Sequence, residues 1–135
     1  MRNFVLDASA AVDYLEASPG AGRVEQLLAD AFRQQLLLYI SVLNLGEVYY
    51  LTWQRTGEDK ARQAVANLSH LPIQIIPVDL PQALKAGELK AVHKIPYVDC
   101  IAASLALRQQ ATLVTSDRDF EKLGRHFPIL WIARS

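Results

Sequence analysis

Short apolar runs alternate along the chain with longer segments in which apolar and polar residues follow a helical period. The short runs are rich in Leu, Ile and Val, and they predict strands at residues 4–6, 36–41, 73–78, 111–115 and 129–132. In the longer segments apolar residues recur three or four positions apart, which indicates helices with one buried face. These predicted helices are residues 10–17, 22–35, 44–55, 58–68, 81–93, 97–110 and 117–123.

The order of these elements predicts a parallel sheet. Consecutive strands are not separated by hairpin signals, and strands that are apolar throughout are typical of a sheet covered by helices on both faces. The leucines at 36–38 could instead extend the preceding helix. We expect a single α/β domain over residues 1–135, a three-layer α/β/α sandwich with a central parallel sheet of about five strands. Such sheets bind ligands outside the carboxyl ends of their strands.

Composition narrows the classes of protein and of partner. Of the 135 residues 51% are hydrophobic and 21% charged, which is ordinary for a globular domain. Cys100 is the single cysteine, so an internal disulfide and a cysteine-based zinc site are excluded, and we expect a cytoplasmic protein. The longest apolar stretch, residues 36–43, is too short to cross a membrane. The 14 basic and 14 acidic residues balance, so contact with nucleic acid must arise from a local site.

Four acidic residues lie at the junctions between predicted strands and helices. Asp7 and Asp117 directly follow strands, Glu47 lies one turn into a helix, and Asp99 lies in the first turn of another. Each acid alone is explained as well by helix capping or by the helix dipole. Glu47, for example, follows Asn44 by three residues, which is the spacing of a capping box.

Taken together, these acids indicate a cation site. Like charges that converge on one edge of a sheet lose stability or hold protons unless a cation balances them, and oxygen ligands suit Mg²⁺ or Mn²⁺. Asp99 shares its helix face with Ala102, Ala103 and Ala106, small residues that allow close approach to the sheet. The alternative is that this face only packs and that Asp99 points to solvent.

Other motifs of enzyme chemistry are missing from the sequence. It contains no Gly-x-Gly-x-x-Gly, no Gly-Lys-Ser/Thr loop and no Gly-x-Ser-x-Gly, which argues against dinucleotide binding, a P-loop and a serine hydrolase. The three histidines are too far apart in sequence for a local metal motif. The acidic residues are therefore the main candidates for chemistry.

Four segments, in this order, resemble the motifs of the PIN domain, and within that family those of VapC-type toxin ribonucleases. They are VLDAS at 5–9, ISVLNLGEV at 40–48, YVDCIAA at 97–103 and LVTSDRDF at 113–120. Each segment is short, but together they extend over nearly the whole chain.

The resemblance implies a Mg²⁺- or Mn²⁺-dependent endoribonuclease that acts as the toxin of a type II toxin–antitoxin pair. It also implies a small antitoxin that occupies a hydrophobic groove and blocks the site. The family's acidic positions would fall on Asp7, Glu47, Asp99 and Asp117, with supporting hydroxyls at Ser9 and Thr115 and a less regular fifth acid at Asp119.

We expect this site to hydrolyse RNA phosphodiester bonds with one or two cations. Asp7, Asp99 and Asp117 are the expected ligands, while Glu47 binds metal directly or through water, or orients the attacking water. A cation lowers the pKa of bound water, so a histidine base is not needed. Attack by water leaves a 5′-phosphate and a 3′-hydroxyl.

Two other functions remain open at this stage. A haloacid-dehalogenase-like phosphatase would need a second Asp two residues after its nucleophile, where this chain has Ser9. A non-catalytic module that binds protein or RNA would be indicated by the loss of one of the four acids, and all four are present.

Large apolar side chains on the first three helices suggest a protein partner. They are Val12, Tyr14, Leu15, Val24, Leu27, Leu28, Phe32, Tyr49, Tyr50 and Trp53. This is more apolar surface than one sheet face is expected to cover, so an amphipathic antitoxin segment could bind there and direct an arginine to the acids. The alternative use of these residues is a homodimer contact, and both contacts could form on different faces.

Overall fold

The four strand pairings of the sheet are all parallel in the computed structural model. The part of the chain that the structure describes, residues 1–133, forms five strands, six α-helices and one 3₁₀ helix. The strands are β1 (Arg2–Leu6), β2 (Leu36–Ser41), β3 (Gln74–Ile76), β4 (Thr112–Thr115) and β5 (Ile129–Trp131). The helices are α1 (Ala8–Leu15), α2 (Ala21–Phe32), α3 (Val42–Thr56), α4 (Glu58–Ser69), α5 (Leu80–His93), α6 (Tyr97–Arg108) and the 3₁₀ helix Arg118–Leu123.

The strand order, β3-β2-β1-β4-β5, places the first strand of the chain at the centre of the sheet. Parallel pairing brings the carboxyl ends of all five strands to one edge. At this edge Leu6 of β1 is in register with Ile40 and Val114, and Thr115 is in register with Trp131. The chain therefore leaves β1, β2 and β4 at neighbouring points, where ligands bind in such folds.

Alternating side chains of the strands supply two hydrophobic layers. Phe4 and Leu6 face a core formed with α1 to α4, whereas Val5 faces a second core formed with α5, α6 and the 3₁₀ helix. Both faces of the sheet are thus covered by helices, which explains why its strands are apolar throughout. The predicted α/β/α sandwich with a five-stranded parallel sheet is confirmed.

The structure decides between the two predictions for residues 36–41 and corrects other elements. Residues 36–41 form strand β2 and do not extend α2, because α2 ends before Gln34, whose φ of 62° is left-handed. Helix α3 starts at Val42 rather than at residue 44, since the Ser41 hydroxyl accepts a hydrogen bond from the Leu43 amide (3.2 Å) and caps the helix. The segment after Asp117 is a 3₁₀ helix.

Part of the apolar surface expected on the first helices is buried in the core. Val12, Val24, Leu27 and Leu28 are buried in the core between the first helices and the sheet, so the expectation of an uncovered surface was wrong for these four residues. Phe32, Tyr50 and Trp53 remain exposed. Within residues 1–133, no helix is long and apolar enough to cross a membrane.

Candidate active site

A cleft of about 280 Å³ opens at the carboxyl edge of the sheet, and acidic side chains dominate its lining. All four acids singled out in the sequence lie in its wall, although they come from four separate parts of the chain. Asp7 follows β1, Glu47 lies on α3, Asp99 lies in the first turn of α6, and Asp117 follows β4. Parallel strand pairing thus places these carboxylates around one space.

Asp7 is held by a network of hydrogen bonds on its two carboxylate oxygens. Oδ1 accepts from the Ser9 hydroxyl (2.7 Å) and from the amide of Ala10 (2.9 Å), which makes Asp7 the N-cap of α1. Oδ2 accepts from the Thr115 hydroxyl at 2.5 Å. Capping and site placement are therefore compatible, and the network fixes the carboxylate at the wall of the cleft with only 3% of the residue exposed.

Thr115 links Asp7 to Asp117 across the β1–β4 junction. Its hydroxyl oxygen accepts from the Asp117 amide (2.9 Å) while it donates to Asp7, and it also lies 3.1 Å from the Ser9 hydroxyl. Asp117 in turn accepts from the Asp119 amide (2.9 Å) and caps the 3₁₀ helix. The two hydroxyls that the sequence associates with the site therefore connect its two strand-end aspartates.

Asp99 is the acid whose environment most strongly favours a bound cation. Only 7% of the residue is exposed, so the alternative that Asp99 points to solvent is excluded. Ala102, Ala103 and Ala106 of the same helix are buried in the second core. The Oδ2 atom of Asp99 is buried, yet it accepts no hydrogen bond from any residue the structure describes. A buried carboxylate oxygen without a donor is rare in folded proteins and needs an explanation.

Asp99, Asp117 and Asp119 each offer a carboxylate oxygen, and these oxygens lie within 4.8 Å of one another. Three hard oxygen ligands at this separation, from a group in which Asp99 also has a buried oxygen without a described donor, fit Mg²⁺ or Mn²⁺. Asp7 and Glu47 line the same cleft but lie outside this closest group. The residues present therefore fit a divalent cation, with Asp119 nearer to the centre than the sequence motifs suggest.

Glu47 lines the cleft from α3 and is half-buried. Asn44, which precedes it by one turn, donates weakly to its Oε1 (3.5 Å) and also to the carbonyl of Val98 (3.3 Å), so Asn44 ties α3 to α6. The capping box considered for this pair does not form, because Ser41 is the N-cap of the helix. Glu47 is therefore free to direct a carboxylate oxygen into the cleft.

Burial, with a smaller contribution from neighbouring acids, raises the pKa values of Asp99, Asp7 and Glu47. Burial, reinforced by the charges of Asp117, Asp7 and Glu47, raises the pKa of Asp99 to about 8. Burial also raises the pKa of Asp7 to about 6, although its hydrogen bonds oppose the rise. The pKa of Glu47 is raised for the same main reason. Without a cation, this site holds protons near neutral pH.

Three further charged residues in the cleft were missed in the sequence. Asp13 and Glu16 line it from α1, and Arg55 lines it from the end of α3. The Asp13 Oδ2 atom is buried without a donor among residues 1–133, and Arg55 donates to both carboxylate oxygens of Glu16 at 3.0 and 3.1 Å. Helical spacing from Ser9 to Asp13 and Glu16 could have indicated this shared face.

Comparisons with known proteins identify the family and the fold. The family model of the PIN domain matches residues 4–126. A structure of VapBC2 from Rickettsia felis bound to a DNA fragment from their promoter superposes with a TM-score of 0.76 at 19% identity, covering 97% of this chain and 99% of that chain. Mycobacterium tuberculosis VapC20, a sarcin-ricin loop cleaving toxin, has a TM-score of 0.73 at 21% identity, covering 90% of this chain and 95% of its own.

A DNA-bound VapBC structure from Salmonella typhimurium gives a TM-score of 0.74 at 18% identity, covering 96% of this chain and 98% of that chain. No curated protein has a significant match in sequence. These TM-scores establish a common fold, and the family model covers most of the chain. The protein therefore belongs to the PIN domain family and shares the fold of VapBC toxin–antitoxin structures.

Proposed function

We propose that the protein is a Mg²⁺- or Mn²⁺-dependent endoribonuclease and the toxin of a type II toxin–antitoxin pair. The observation that carries the proposal is that carboxylate oxygens of Asp99, Asp117 and Asp119 meet at the carboxyl edge of a PIN domain, where Asp99 also has a buried oxygen without a donor among the described residues. A divalent cation held there would stabilise charge on a phosphodiester and lower the pKa of the attacking water. The relative VapC20, which cleaves the sarcin-ricin loop, supports RNA as the substrate class.

The five acids of the proposed site each have a role that their contacts support. Asp99, Asp117 and Asp119 would hold the cation, and Asp7, fixed by Ser9 and Thr115, would complete its ligands. Glu47, half-buried and only weakly bonded to Asn44, would bind the metal directly or through water, or orient the attacking water. Hydrolysis of an RNA phosphodiester bond by water then leaves a 5′-phosphate and a 3′-hydroxyl.

The two alternative functions find less support in this geometry. In a phosphatase of the haloacid-dehalogenase type, an acid would stand where Ser9 donates a hydrogen bond to Asp7. A non-catalytic module would gain nothing from burying Asp99 without a donor, because an unpaired buried charge is destabilising. The cluster is explained more simply by cation binding.

A pair of aspartate variants tests the proposed activity. Asp99 and Asp59 each lie in the first turn of a helix, but Asp59 is exposed on α4 and lies outside the cleft. We expect Asp99→Asn to abolish cleavage of total RNA in Mn²⁺ and Asp59→Asn to cleave as the wild type does. Equal activity of the two variants would contradict the proposed site.

An antitoxin partner is supported by a second depression that adjoins the cleft. It has a volume of about 280 Å³, is formed by α1, α3 and α4, and shares Val12 and Glu16 with the acidic cleft. On α3 beside it, Tyr50 and Trp53 are 48% and 43% exposed. An amphipathic segment bound there could extend a basic side chain into the cleft and compete with the cation.

Co-expression with the product of the neighbouring gene tests this partner. Because Trp53 is exposed, we expect Trp53→Asp to fold and to cleave RNA but to lose co-purification and inhibition. A neighbour that neither binds nor inhibits the wild type would refute the toxin–antitoxin assignment while leaving the nuclease intact.

A homodimer through another face is supported by the exposed α5 residues Leu80, Leu84 and Val92. Light scattering measures whether this dimer forms.

A further inference from the structure

An arginine stacked on a tryptophan lies beside the acidic cleft, one strand beyond β4. The guanidinium carbon of Arg118 is 4.4 Å from the centre of the Trp131 ring. Trp131 ends β5 in register with Thr115, the residue whose hydroxyl bonds to Asp7. Arg118 directly follows Asp117. The pair is thus joined through the backbone to Asp117, which lines the cleft, and to Thr115, which is buried and bonds to Asp7.

Next to this pair is a depression of about 280 Å³ with aromatic walls. Phe120 is fully buried at its base, Phe127 and Trp131 are half-buried at its sides, and Arg125 contributes a second positive charge. The short segment from 118 to 126 also carries Lys122 and His126, alongside the acids Asp119 and Glu121. An aromatic surface with exposed arginines is the usual platform for single-stranded nucleic acid.

Arg118 is more available to a ligand than the arginine inside the cleft. Arg55 makes two hydrogen bonds with Glu16 at 3.0 and 3.1 Å, whereas the nearest acid to Arg118, Glu121, is 3.9 Å away and largely exposed. A long, exposed ion pair holds a side chain only weakly. Arg118 can therefore leave Glu121 for a phosphate without breaking a strong contact.

We propose that Arg118 and Trp131, with the depression beside them, bind a nucleotide of the RNA strand next to the phosphodiester that is cleaved. The base stacks on the aromatic surface and the phosphate pairs with Arg118. This inference rests on the proposed ribonuclease function. A chain with no net charge can thus hold a polyanion beside an acidic cleft, because Arg118 supplies attraction and Trp131 supplies stacking. We call this pair and the depression beside it the rim.

The test compares variants of the rim with a matched control at the other edge of the sheet. Arg2 also lies over an aromatic ring, that of Phe4 at 5.5 Å, but it begins β1 and so lies at the amino edge. The probe is a fluorescein-labelled pool of short single-stranded RNAs of random sequence. Binding is measured in an Asp7→Asn background to prevent turnover, and cleavage is measured in the otherwise wild-type protein with Mn²⁺.

We expect Trp131→Leu to weaken binding about 5- to 150-fold, the range found for loss of one base–aromatic stack. Arg118→Ala should weaken binding and lower the slope of log affinity against log salt by about 0.7, as for one phosphate contact on a single strand. Trp131→Phe, which keeps an aromatic ring and guards against misfolding of β5, should retain most of the affinity. Arg2→Ala should match the parent in affinity and in salt slope.

The outcomes separate this inference from the proposed function. If the wild type neither binds nor cleaves the RNA pool, the ribonuclease function fails, and this inference fails with it. If the wild type cleaves but the folded Arg118→Ala and Trp131→Leu proteins keep its KM, the rim site is refuted and the nuclease stands. Loss of affinity in Arg118→Ala alone would refute base stacking.

Discussion

Asp99→Asn should stabilise the metal-free protein, because it replaces a buried carboxyl group by a neutral amide of the same size. The unfolded carboxyl titrates near 3.8, whereas burial and neighbouring acids raise the pKa of Asp99 in the folded protein to about 8. At pH 7 the Asp99 carboxyl is therefore protonated in the folded protein and ionised in the unfolded chain, which lowers the free energy of unfolding. Each pH unit is worth about 1.36 kcal/mol, so the penalty approaches about 4 kcal/mol.

The asparagine has a cost of its own, which sets the net effect. Its amide would be buried where the Oδ2 atom of Asp99 has no donor among the described residues, and an unsatisfied amide costs about 1–3 kcal/mol. We expect a net gain of about 1–3 kcal/mol for Asp99→Asn at pH 7. With a urea m value of about 2 kcal/mol/M, the midpoint rises by about 0.5–1.5 M.

The pH dependence of the free energy of unfolding also tests whether Asp99 destabilises the metal-free protein. Because the folded pKa lies above the unfolded value, the wild type is most stable below about pH 4 with respect to this group and loses stability as pH rises towards 8. Urea titrations in EDTA at pH 5, 7 and 8 should show this fall in the wild type and in Asp59→Asn, and a smaller fall in Asp99→Asn.

Metal should reverse the order of stability. At a concentration of Mn²⁺ 1,000 times its Kd, the wild type gains about 4.1 kcal/mol, which exceeds the advantage of the variant in EDTA, while Asp99→Asn gains little. A wild type that is more stable than Asp99→Asn in EDTA at pH 7 and 8, or an equal gain from Mn²⁺ in both proteins, would refute the assignment of Asp99 as a strained cation ligand.

Three further predictions concern the network around the cleft. Asp7→Asn should fold, because asparagine also caps helices, but cleavage should fall strongly in activity assays; a fully active variant would leave Asp7 as a cap only. Thr115→Val removes the hydroxyl that joins Asp7 to Asp117, and it should lower the free energy of unfolding by about 1–3 kcal/mol. It should also lower kcat while changing KM less. Crystals soaked in Mn²⁺ should give an anomalous peak between Asp99, Asp117 and Asp119, and a peak elsewhere would contradict the site.

Much of the fold could be predicted because local and long-range preferences agree. Strand β2 is apolar throughout, as a central parallel strand must be, and its predicted residues coincide with those observed. Strand β3 is shorter than predicted, Gln74–Ile76, because Pro77 lacks an amide donor for the ladder. The predicted start of α3 was two residues too late, because Ser41 and Asn44 are both good caps and only tertiary contacts decide between them.

The sequence predicted four acids of the cleft and their meeting at one edge of the sheet, but not the position of Asp119 beside Asp99 or the presence of Arg55. Parallel pairing is enough to bring Asp7 and Asp117 together, since each follows one of two adjacent strands. Asp119 joins Asp99 and Asp117 because the chain turns into a 3₁₀ helix there, which depends on the side chain of Asp117 as a cap. Arg55 enters the cleft through its pairing with Glu16, 39 residues earlier, a contact with no local signal.

The chemistry of the RNA ends produced by the protein tests the central claim most directly. Purified wild type is incubated with total RNA in Mn²⁺ or in EDTA, and new 5′ ends are captured by a ligation that accepts only 5′-monophosphates. The account predicts new 5′-monophosphate ends that require Mn²⁺ and disappear in Asp99→Asn. Ends that carry a 5′-hydroxyl, or cleavage that persists in EDTA or in Asp99→Asn, would contradict metal-dependent hydrolysis at the acidic cleft.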